Sequence, residues 1–236
     1  MKYTKSPLDC FLQQRINNNA KELKSTLNET LQIEQDCLEQ ICLSINHCKK
    51  NITACEEQIK KCSSASLPVY EAKKTAFKDN LTIWNMLGHI QMASIEMKEY
   101  LKRLSVTDID EWEQRDVIKS AYTAIYETSK KLIDTTGNII KFIQSYFPSY
   151  DYGTLAVARK ELTRFIEQNK AELTRVRNSI DAHRDVEVST QIDIIEGLHL
   201  AEAVQLIIDY GNVINKLGEA TSPIKELGIK RLQASF

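Results

Sequence analysis

The sequence predicts an all-α protein, a helical bundle with a long N-terminal helix of coiled-coil type. Seven Gly and four Pro occur among 236 residues, whereas average usage would supply about 16 and 12. Turn-rich β folds draw heavily on both residue types, so they are disfavoured. From Leu8 to Cys62 there is neither Gly nor Pro, and apolar residues recur at alternating steps of four and three. A hydrophobic fraction of 42% is sufficient for a buried core.

The first predicted helix covers Leu8 to Cys62. Its apolar residues form a narrow seam over several heptads, which is typical of a coiled-coil helix. A Ser-rich segment that ends in Pro68 terminates it. We therefore divide the chain into an amphipathic arm, residues 1–66, and a helical bundle, residues 67–236. The seam consists of Leu38, Ile41, Ile45, Cys48, Ile52, Cys55, Ile59 and Cys62, continued upstream by Leu8, Leu12, Ile16, Leu23, Leu27 and Leu31.

Two long helices are predicted at the start of the bundle. The second helix of the chain covers about Val69 to Leu104, with an apolar-rich centre. The third follows Thr107-Asp108-Ile109-Asp110, which resembles a capping box because a carboxylate follows a hydroxyl by three residues. It ends at Tyr146-Phe147-Pro148, where Pro stops the helix.

Three more helices are predicted in the second half of the bundle. The fourth begins near Thr154 and extends to Ile180. The fifth is capped by Thr190-Gln191-Ile192-Asp193 and continues without a break through Leu198 to Ile208. A short last helix follows Ser222-Pro223, with Pro at its first position.

Composition and motifs exclude several classes of protein. No apolar run approaches the ~18 residues of a membrane span, and the N-terminus lacks the continuous apolar core of a signal peptide. We therefore expect a cytoplasmic protein with no membrane partner. A net charge of −1 argues against a broad electrostatic surface for nucleic acid, although it allows a small local site. The absence of a Gly-rich phosphate loop excludes P-loop nucleotide hydrolysis, and no GxSxG or paired-carboxylate motif is present.

All six cysteines lie in the predicted N-terminal helix, which raises the question of a metal site. None of them is three or four residues from another, the spacing at which two helical ligands share a face. A seven-residue spacing corresponds to about 10.5 Å of helix, too far for a disulfide. We therefore predict no metal site and no cofactor. Small apolar seam residues are the favoured interpretation, and a parallel homodimer that juxtaposes like cysteines is the alternative. The six are Cys10, Cys37, Cys42, Cys48, Cys55 and Cys62.

The strongest functional signal lies at the end of the fourth predicted helix. Arg177, Asn178, Ala182, His183 and Asp185 form an RNxxxAHxD string. This string resembles the R-x(4–6)-H motif of the HEPN superfamily, and its AHxD version is most similar to abortive-infection-type HEPN proteins. The resemblance covers the motif and an all-α context from about residue 70 onward, so the N-terminal arm lies outside it.

The resemblance implies a metal-independent endoribonuclease in a toxin or phage-defence setting. The RNA 2′-OH would attack the adjacent phosphate while His183 acts as acid and base and Arg177 stabilises charge on the phosphorane. Asn178 and Asp185 would orient these two residues. In the family, two protomers usually pair their motifs across a homodimer, and an antitoxin or another protein is a possible further partner. The residues assigned to RNA binding are Arg175 and Arg184.

The residue types suit this chemistry. Histidine titrates near neutral pH, as a general acid or base requires. A guanidinium is planar and permanently charged, which suits an electrophilic stabiliser. A purely structural alternative is that Arg177 pairs with Asp181 on its own helix and His183 caps the helix C-terminus.

Charge is distributed unevenly around the motif. Residues 155–184 hold seven Lys or Arg and four acids, whereas residues 185–209 hold six acids and no Lys or Arg. This pattern fits a phosphate-binding face with an acidic counterweight, and it equally fits two helices that pair with each other or with a second protomer. The alternative function is a non-catalytic helical interaction or scaffold protein, which self-associates or docks a partner through its N-terminal helix.

Overall fold

The computed structural model describes residues 6–105, 109–178 and 187–235. Within these residues the chain is helical and contains no strand, which confirms the predicted all-α fold and the long N-terminal helix. No helix of the described residues combines the length and apolar character that crossing a bilayer requires. The helices are α1 (Pro7–Lys61), α2 (Leu67–Leu104), α3 (Glu111–Tyr146), α4 (Gly153–Val176), α5 (Val188–Glu196), α6 (Leu200–Thr221) and α7 (Ile224–Gln233).

Helix α1 follows the predicted seam. The Ser6 hydroxyl caps its start by accepting the backbone N–H of Asp9 at 3.0 Å. All seam residues are buried or half-buried except Leu8 and Leu23, which are exposed. The thiols of Cys48 and Cys55 are buried in the seam, in agreement with the favoured interpretation. Cys10, Cys37 and Cys42 are exposed, so that interpretation does not extend to them.

The start of α3 differs from the predicted capping box. Its first helical residue is Glu111, and the Asp110 carboxylate accepts the backbone N–H of Glu113 at 2.8 Å. Asp110 is therefore itself the N-cap, in the position that Asp favours. The predicted cap, Thr107, lies outside the described residues.

The predicted fifth helix is two helices, α5 and α6, so this prediction was wrong. Gly197 is the C-cap of α5 and donates its N–H to the Asp193 carbonyl. Glu187 occupies the N-cap position of α5, which places the predicted cap Thr190 inside the helix. A new helix then begins at Leu200, because the Asp9 carboxylate of α1 accepts the backbone N–H of Ala201 in its first turn.

Residue contacts divide the chain into two compact units. Unit 1 comprises Met1–Gln35, Ala93–Lys130 and Leu162–Ile214, and unit 2 comprises Asp36–Met92, Lys131–Glu161 and Asn215–Phe236. Parts of α1 belong to each unit together with parts of other helices. The division into an arm at residues 1–66 and a bundle at residues 67–236 stays a prediction.

Unit 1 has an apolar core with a few polar links between helices. The Glu34 carboxylate accepts a hydrogen bond from Ser94 at 2.9 Å and pairs with Lys98, which joins α1 to α2. The Thr128 and Tyr210 hydroxyls hydrogen-bond at 2.8 Å between α3 and α6. Fully buried side chains of this core include Met97, Val117, Ile125, Leu162, Leu173, Ala203 and Ile214.

Unit 2 contains one position that requires glycine. A Cβ on Gly228 of α7 would lie 2.6 Å from Asn80 Oδ1 and 3.0 Å from Ile83 Cδ1. Asn80 is buried and donates from Nδ2 to the Gly228 carbonyl at 2.5 Å. The close approach of α7 to α2 therefore depends on the missing side chain. The predicted last helix is observed, with Pro223 directly before its first residue.

Candidate functional site at the end of α4

The predicted motif begins where α4 ends. Leu162, Leu173 and Val176 bury the apolar face of the helix in unit 1. Arg177 and Asn178 follow with π-helical backbone rather than α-helical backbone, a deviation that is frequent at functional sites. The predicted catalytic His183, the supporting Asp185 and the predicted RNA-binding Arg184 lie outside the described residues. The described part of the motif therefore consists of Arg177 and Asn178.

The Arg177 side chain is held in one place from two directions. Its Nε donates to Glu127 Oε1 on α3 at 2.9 Å, and its Nη1 donates to the Asn178 side-chain oxygen at 3.0 Å. The side chain is one-third exposed. Asn178 therefore contacts and orients the Arg177 side chain, and its role in a catalytic motif stays a prediction. The structural alternative paired Arg177 with Asp181, which lies outside the described residues, and the observed pair with Glu127 comes from another helix.

A tyrosine and a lysine complete this cluster. The Arg177 Cζ lies 5.7 Å from the centre of the Tyr126 ring, and the Lys130 Nζ lies 4.3 Å from it, both within cation–π range. Tyr126, Glu127, Lys130 and Arg177 are named here the Arg177 cluster. The pKa of Tyr126 is lowered, first by a hydrogen bond with Lys130 and also by the charges of Lys130 and Arg177. The two cations therefore favour the ionised form of the Tyr126 phenol.

Arg175, the other predicted RNA-binding residue, is separate from this cluster. Its side chain is nearly half exposed, and its Nη2 lies 4.0 Å from Glu172 Oε1, one turn earlier on α4. Residues two apart on a helix do not face each other, so Arg175 and Arg177 point to different sides of the chain.

The acidic and basic helices on either side of the motif pack together in unit 1. The rings of Phe165 on α4 and Tyr210 on α6 lie 5.5 Å apart. The pKa of Tyr122 is raised by burial first and then by the charges of Glu172 and Glu202, while Arg175 acts in the opposite direction. Charged residues of α4 and α6 therefore act on one buried phenol, which agrees with the interpretation that the two helices pair.

The remaining histidines and the cysteines all lie in the part of the chain that the structure describes. His199 Nδ1 lies 3.2 Å from Asp9 Oδ2, the pKa of His89 is lowered by burial and then by Lys131, and His47 is hydrogen-bonded to Asn51. Over the described ranges, no group of three His, Cys, Asp or Glu side chains is arranged to bind a metal ion. The cysteines are free, and burial raises the pKa of Cys48.

Two contacts, one at the site and one elsewhere in unit 1, join residues that are distant in sequence. Glu127 meets Arg177 from 50 residues earlier in the chain, and no local spacing pattern predicts such a contact. Asp9 meets Ala201 across 192 residues, for the same reason. An Asp within the first turn of a helix was the only available signal for the latter, and it indicates nothing beyond its own helix.

Comparison with known proteins adds no further assignment. No family model, no curated protein and no solved structure matches the chain. The geometry of the Arg177 cluster and the resemblance of the RNxxxAHxD string are thus the two observations that bear on a nuclease function.

Proposed function

We propose that this protein is a metal-independent endoribonuclease of HEPN type that acts as a dimer in a toxin or phage-defence setting. The observation that carries the proposal is the Arg177 guanidinium, which is partly exposed and oriented by Glu127 and Asn178 at the first position of the RNxxxAHxD string. The neighbouring Lys130 adds a second positive charge. The two cations share the ring of Tyr126, and positive groups of this kind are suited to an RNA phosphate.

In the proposed reaction the RNA 2′-oxygen forms a bond to the adjacent phosphorus and the bond from phosphorus to the 5′-oxygen breaks. His183 takes the proton of the 2′-OH as a base, and a protonated His183 gives one to the leaving 5′-oxygen. Arg177 stabilises the charge on the phosphorane. A guanidinium has five N–H donors, so its donor capacity exceeds the two bonds to Glu127 and Asn178. The products are a 2′,3′-cyclic phosphate and a 5′-hydroxyl.

The remaining motif residues have supporting roles in the proposal. Asp185 orients His183, and Asn178 fixes Arg177. Arg175 and Arg184 bind the RNA backbone, which Arg175 can reach because its side chain is nearly half exposed. Two protomers contribute one motif each to a composite cleft, and an antitoxin would act by covering it.

The test is cleavage of a labelled RNA by purified protein in the presence of EDTA. Wild type is compared with His183→Ala and Arg177→Ala, and with the matched controls His47→Ala and Arg103→Ala, which alter exposed residues elsewhere. We expect the controls to cut like wild type and the two motif variants to lose about 100-fold or more in rate. An RNA with a 2′-deoxy substitution at the cleaved position should resist cleavage.

Several results would count against the proposal. If wild type cuts no RNA, or if His183→Ala cuts as fast as wild type while circular dichroism shows both folded, the motif is not an active site. Cleavage that disappears with EDTA would mean a metal-dependent reaction instead. Normal growth of cells that express wild-type protein would argue against a toxin.

The second candidate function is the non-catalytic interaction protein. Exposed apolar side chains of α1 favour it, since Leu8, Phe11, Ile33 and Leu43 are each more than half exposed. The seam itself is an unsuitable docking face, because Ile41 and Ile45 lie against Gly88 of α2 in unit 2. A partner would therefore use the outer face of α1.

A further inference from the structure

An open groove crosses the surface of unit 1 between four helices. Its walls come from α1, α3, α4 and α6, and its volume is about 640 Å³. Leu8 and Phe11 on α1 and Ile208 on α6 project into it and remain 60%, 57% and 42% exposed. Apolar side chains that line one concavity and stay this exposed indicate a surface that another molecule covers.

The charged residues of the groove are acidic, and Asn169 and Gln205 are its uncharged polar residues. Glu172, Glu202 and Asp209 line it, and neither Lys nor Arg is among the described residues that do. Arg15 lies over the Phe11 ring and Arg175 lies 4.0 Å from Glu172, and neither is among the residues that line the groove. The raised pKa of Tyr122 in the floor, caused by burial first and then by Glu172 and Glu202, is consistent with a negative potential there. The complementary occupant is apolar on one side and basic at its edges.

The shape favours a helix over a small molecule. Small-molecule sites enclose most of the ligand surface, whereas Leu8, Phe11 and Ile208 of this groove are about half open to solvent. The α6 segment from Ala201 to Asp209 borders the groove, and nine helical residues extend over about 13 Å. That length accommodates about two turns of an amphipathic helix laid between helices, a common mode of peptide recognition.

A second copy of this chain is a poor occupant by the same criteria. In a twofold-symmetric contact each surface meets itself. The carboxylates of Glu172, Glu202 and Asp209 would then face their own counterparts, and like charges across an interface are costly.

We propose that this groove binds an amphipathic helix of another protein, whose apolar face covers Leu8, Phe11 and Ile208 and whose lysines or arginines pair with Glu172, Glu202 and Asp209. Phe11 and Leu8 act as the apolar anchors, since they present the most exposed apolar surface of the groove. The three carboxylates select for a basic partner and speed its association. This inference does not depend on nuclease activity.

The probe is a fluorescent synthetic peptide of about 18 residues, with Leu at helical spacing and Lys elsewhere, long enough to form a helix on binding. A second peptide has Glu in place of every Lys. Binding to the full chain is measured by fluorescence anisotropy at two salt concentrations. We expect the Lys peptide to bind more tightly at low salt and the Glu peptide not to bind.

Two pairs of matched variants locate the binding site. Phe11→Ser is compared with Leu43→Ser, which alters a residue of the same helix that is 56% exposed and lies outside the groove. A double variant of the groove, Glu202→Lys and Asp209→Lys, is compared with a double variant of exposed acids on α1, Glu39→Lys and Glu57→Lys. The two double variants change the net charge by the same amount. Each groove variant should weaken the Lys peptide by at least about tenfold, and each control should leave its affinity unchanged.

Three results would overturn the proposal. The first is that the Lys peptide does not bind, and the second is that groove and control variants lose the same peptide affinity. The third is that wild type sediments as a dimer, which Phe11→Ser dissociates and Leu43→Ser does not. The last result would assign the groove to a second copy. Because RNA cleavage is not a readout here, failure of this proposal and failure of the nuclease proposal are distinguishable.

Discussion

Asp9 provides a sharp test of how α6 is held in place. Its carboxylate is 3% exposed, accepts the Ala201 N–H with Oδ1 at 2.8 Å and lies 3.2 Å from His199 Nδ1 through Oδ2. Replacing it with Ala removes the N-cap acceptor, at a cost of about 1 kcal/mol. Loss of the charge-assisted bond to His199 adds about 1.5 kcal/mol. We therefore expect Asp9→Ala to lower the free energy of unfolding by about 2–4 kcal/mol.

The dependence on pH separates the charge of Asp9 from its size. Burial alone would raise the pKa of this carboxyl, but hydrogen bonds from Ala201, Ser6 and His199 hold it below its ordinary value. A lowered pKa means that Asp9 stabilises the fold above its unfolded pKa, about 3.9. That contribution is lost as the pH falls through the folded pKa. Asp9→Asn keeps the cap acceptor, so its deficit relative to wild type should shrink toward zero in acid.

The assay is urea unfolding followed by circular dichroism, with Asp134→Ala as the matched control. Asp134 is exposed on α3, and its replacement should change stability by less than about 0.5 kcal/mol. Equal losses for Asp9→Ala and Asp134→Ala would show that the carboxylate does not hold α6. A deficit of Asp9→Asn that persists unchanged in acid would show that its charge does not matter.

Three further predictions concern other parts of the chain. Gly228→Ala should destabilise the protein by about 1–3 kcal/mol in urea unfolding, because the new Cβ overlaps a neighbouring side chain. Gly211 has open space around it, so Gly211→Ala should stabilise the protein by up to about 1 kcal/mol. Changes of the opposite sign would contradict the packing of α7. If Arg177 is catalytic, Glu127→Ala should slow RNA cleavage about tenfold, a barrier change of about 1.4 kcal/mol, and Glu127→Gln should retain most of the activity. Both variants should change the free energy of unfolding by less than about 1 kcal/mol, because the ion pair is partly exposed. In native protein a thiol reagent should modify the exposed Cys10, Cys37 and Cys42 readily. It should modify Cys48 only on unfolding, since that thiol is buried and its pKa is raised. Rapid reaction of all six cysteines would refute the seam packing.

The parts of the fold that depend on local chemistry could be predicted from the sequence. The α1 seam follows from apolar spacing, and the end of α3 follows from Pro148, because periodicity and proline act within one helix. The break between α5 and α6 could not be predicted in this way. The cap that starts α6 comes from Asp9, which is distant in sequence, and Gly197 alone does not establish the end of a helix.

The candidate site shows the same division. The position of Arg177 at the end of α4 was predicted from the motif and from the helical pattern before it. Its orientation by Glu127 was not predicted, because the contact depends on how α3 packs beside α4 in unit 1. The sequence assigns Arg175 to RNA binding on its charge, and its observed neighbour is Glu172 on its own helix.

The bond between Asp9 and Ala201 has a consequence for the time course of folding. The two residues are 192 positions apart, and synthesis at 5–20 residues per second separates their appearance by about 10–40 s. Contacts between such distant residues slow folding, because a long loop must close before they form. During that interval α6 has not been made, so the Asp9 carboxylate lacks its Ala201 partner and the groove beside Phe11 lacks its α6 wall. The native contacts between the first and the sixth helix therefore form only after most of the chain has been made.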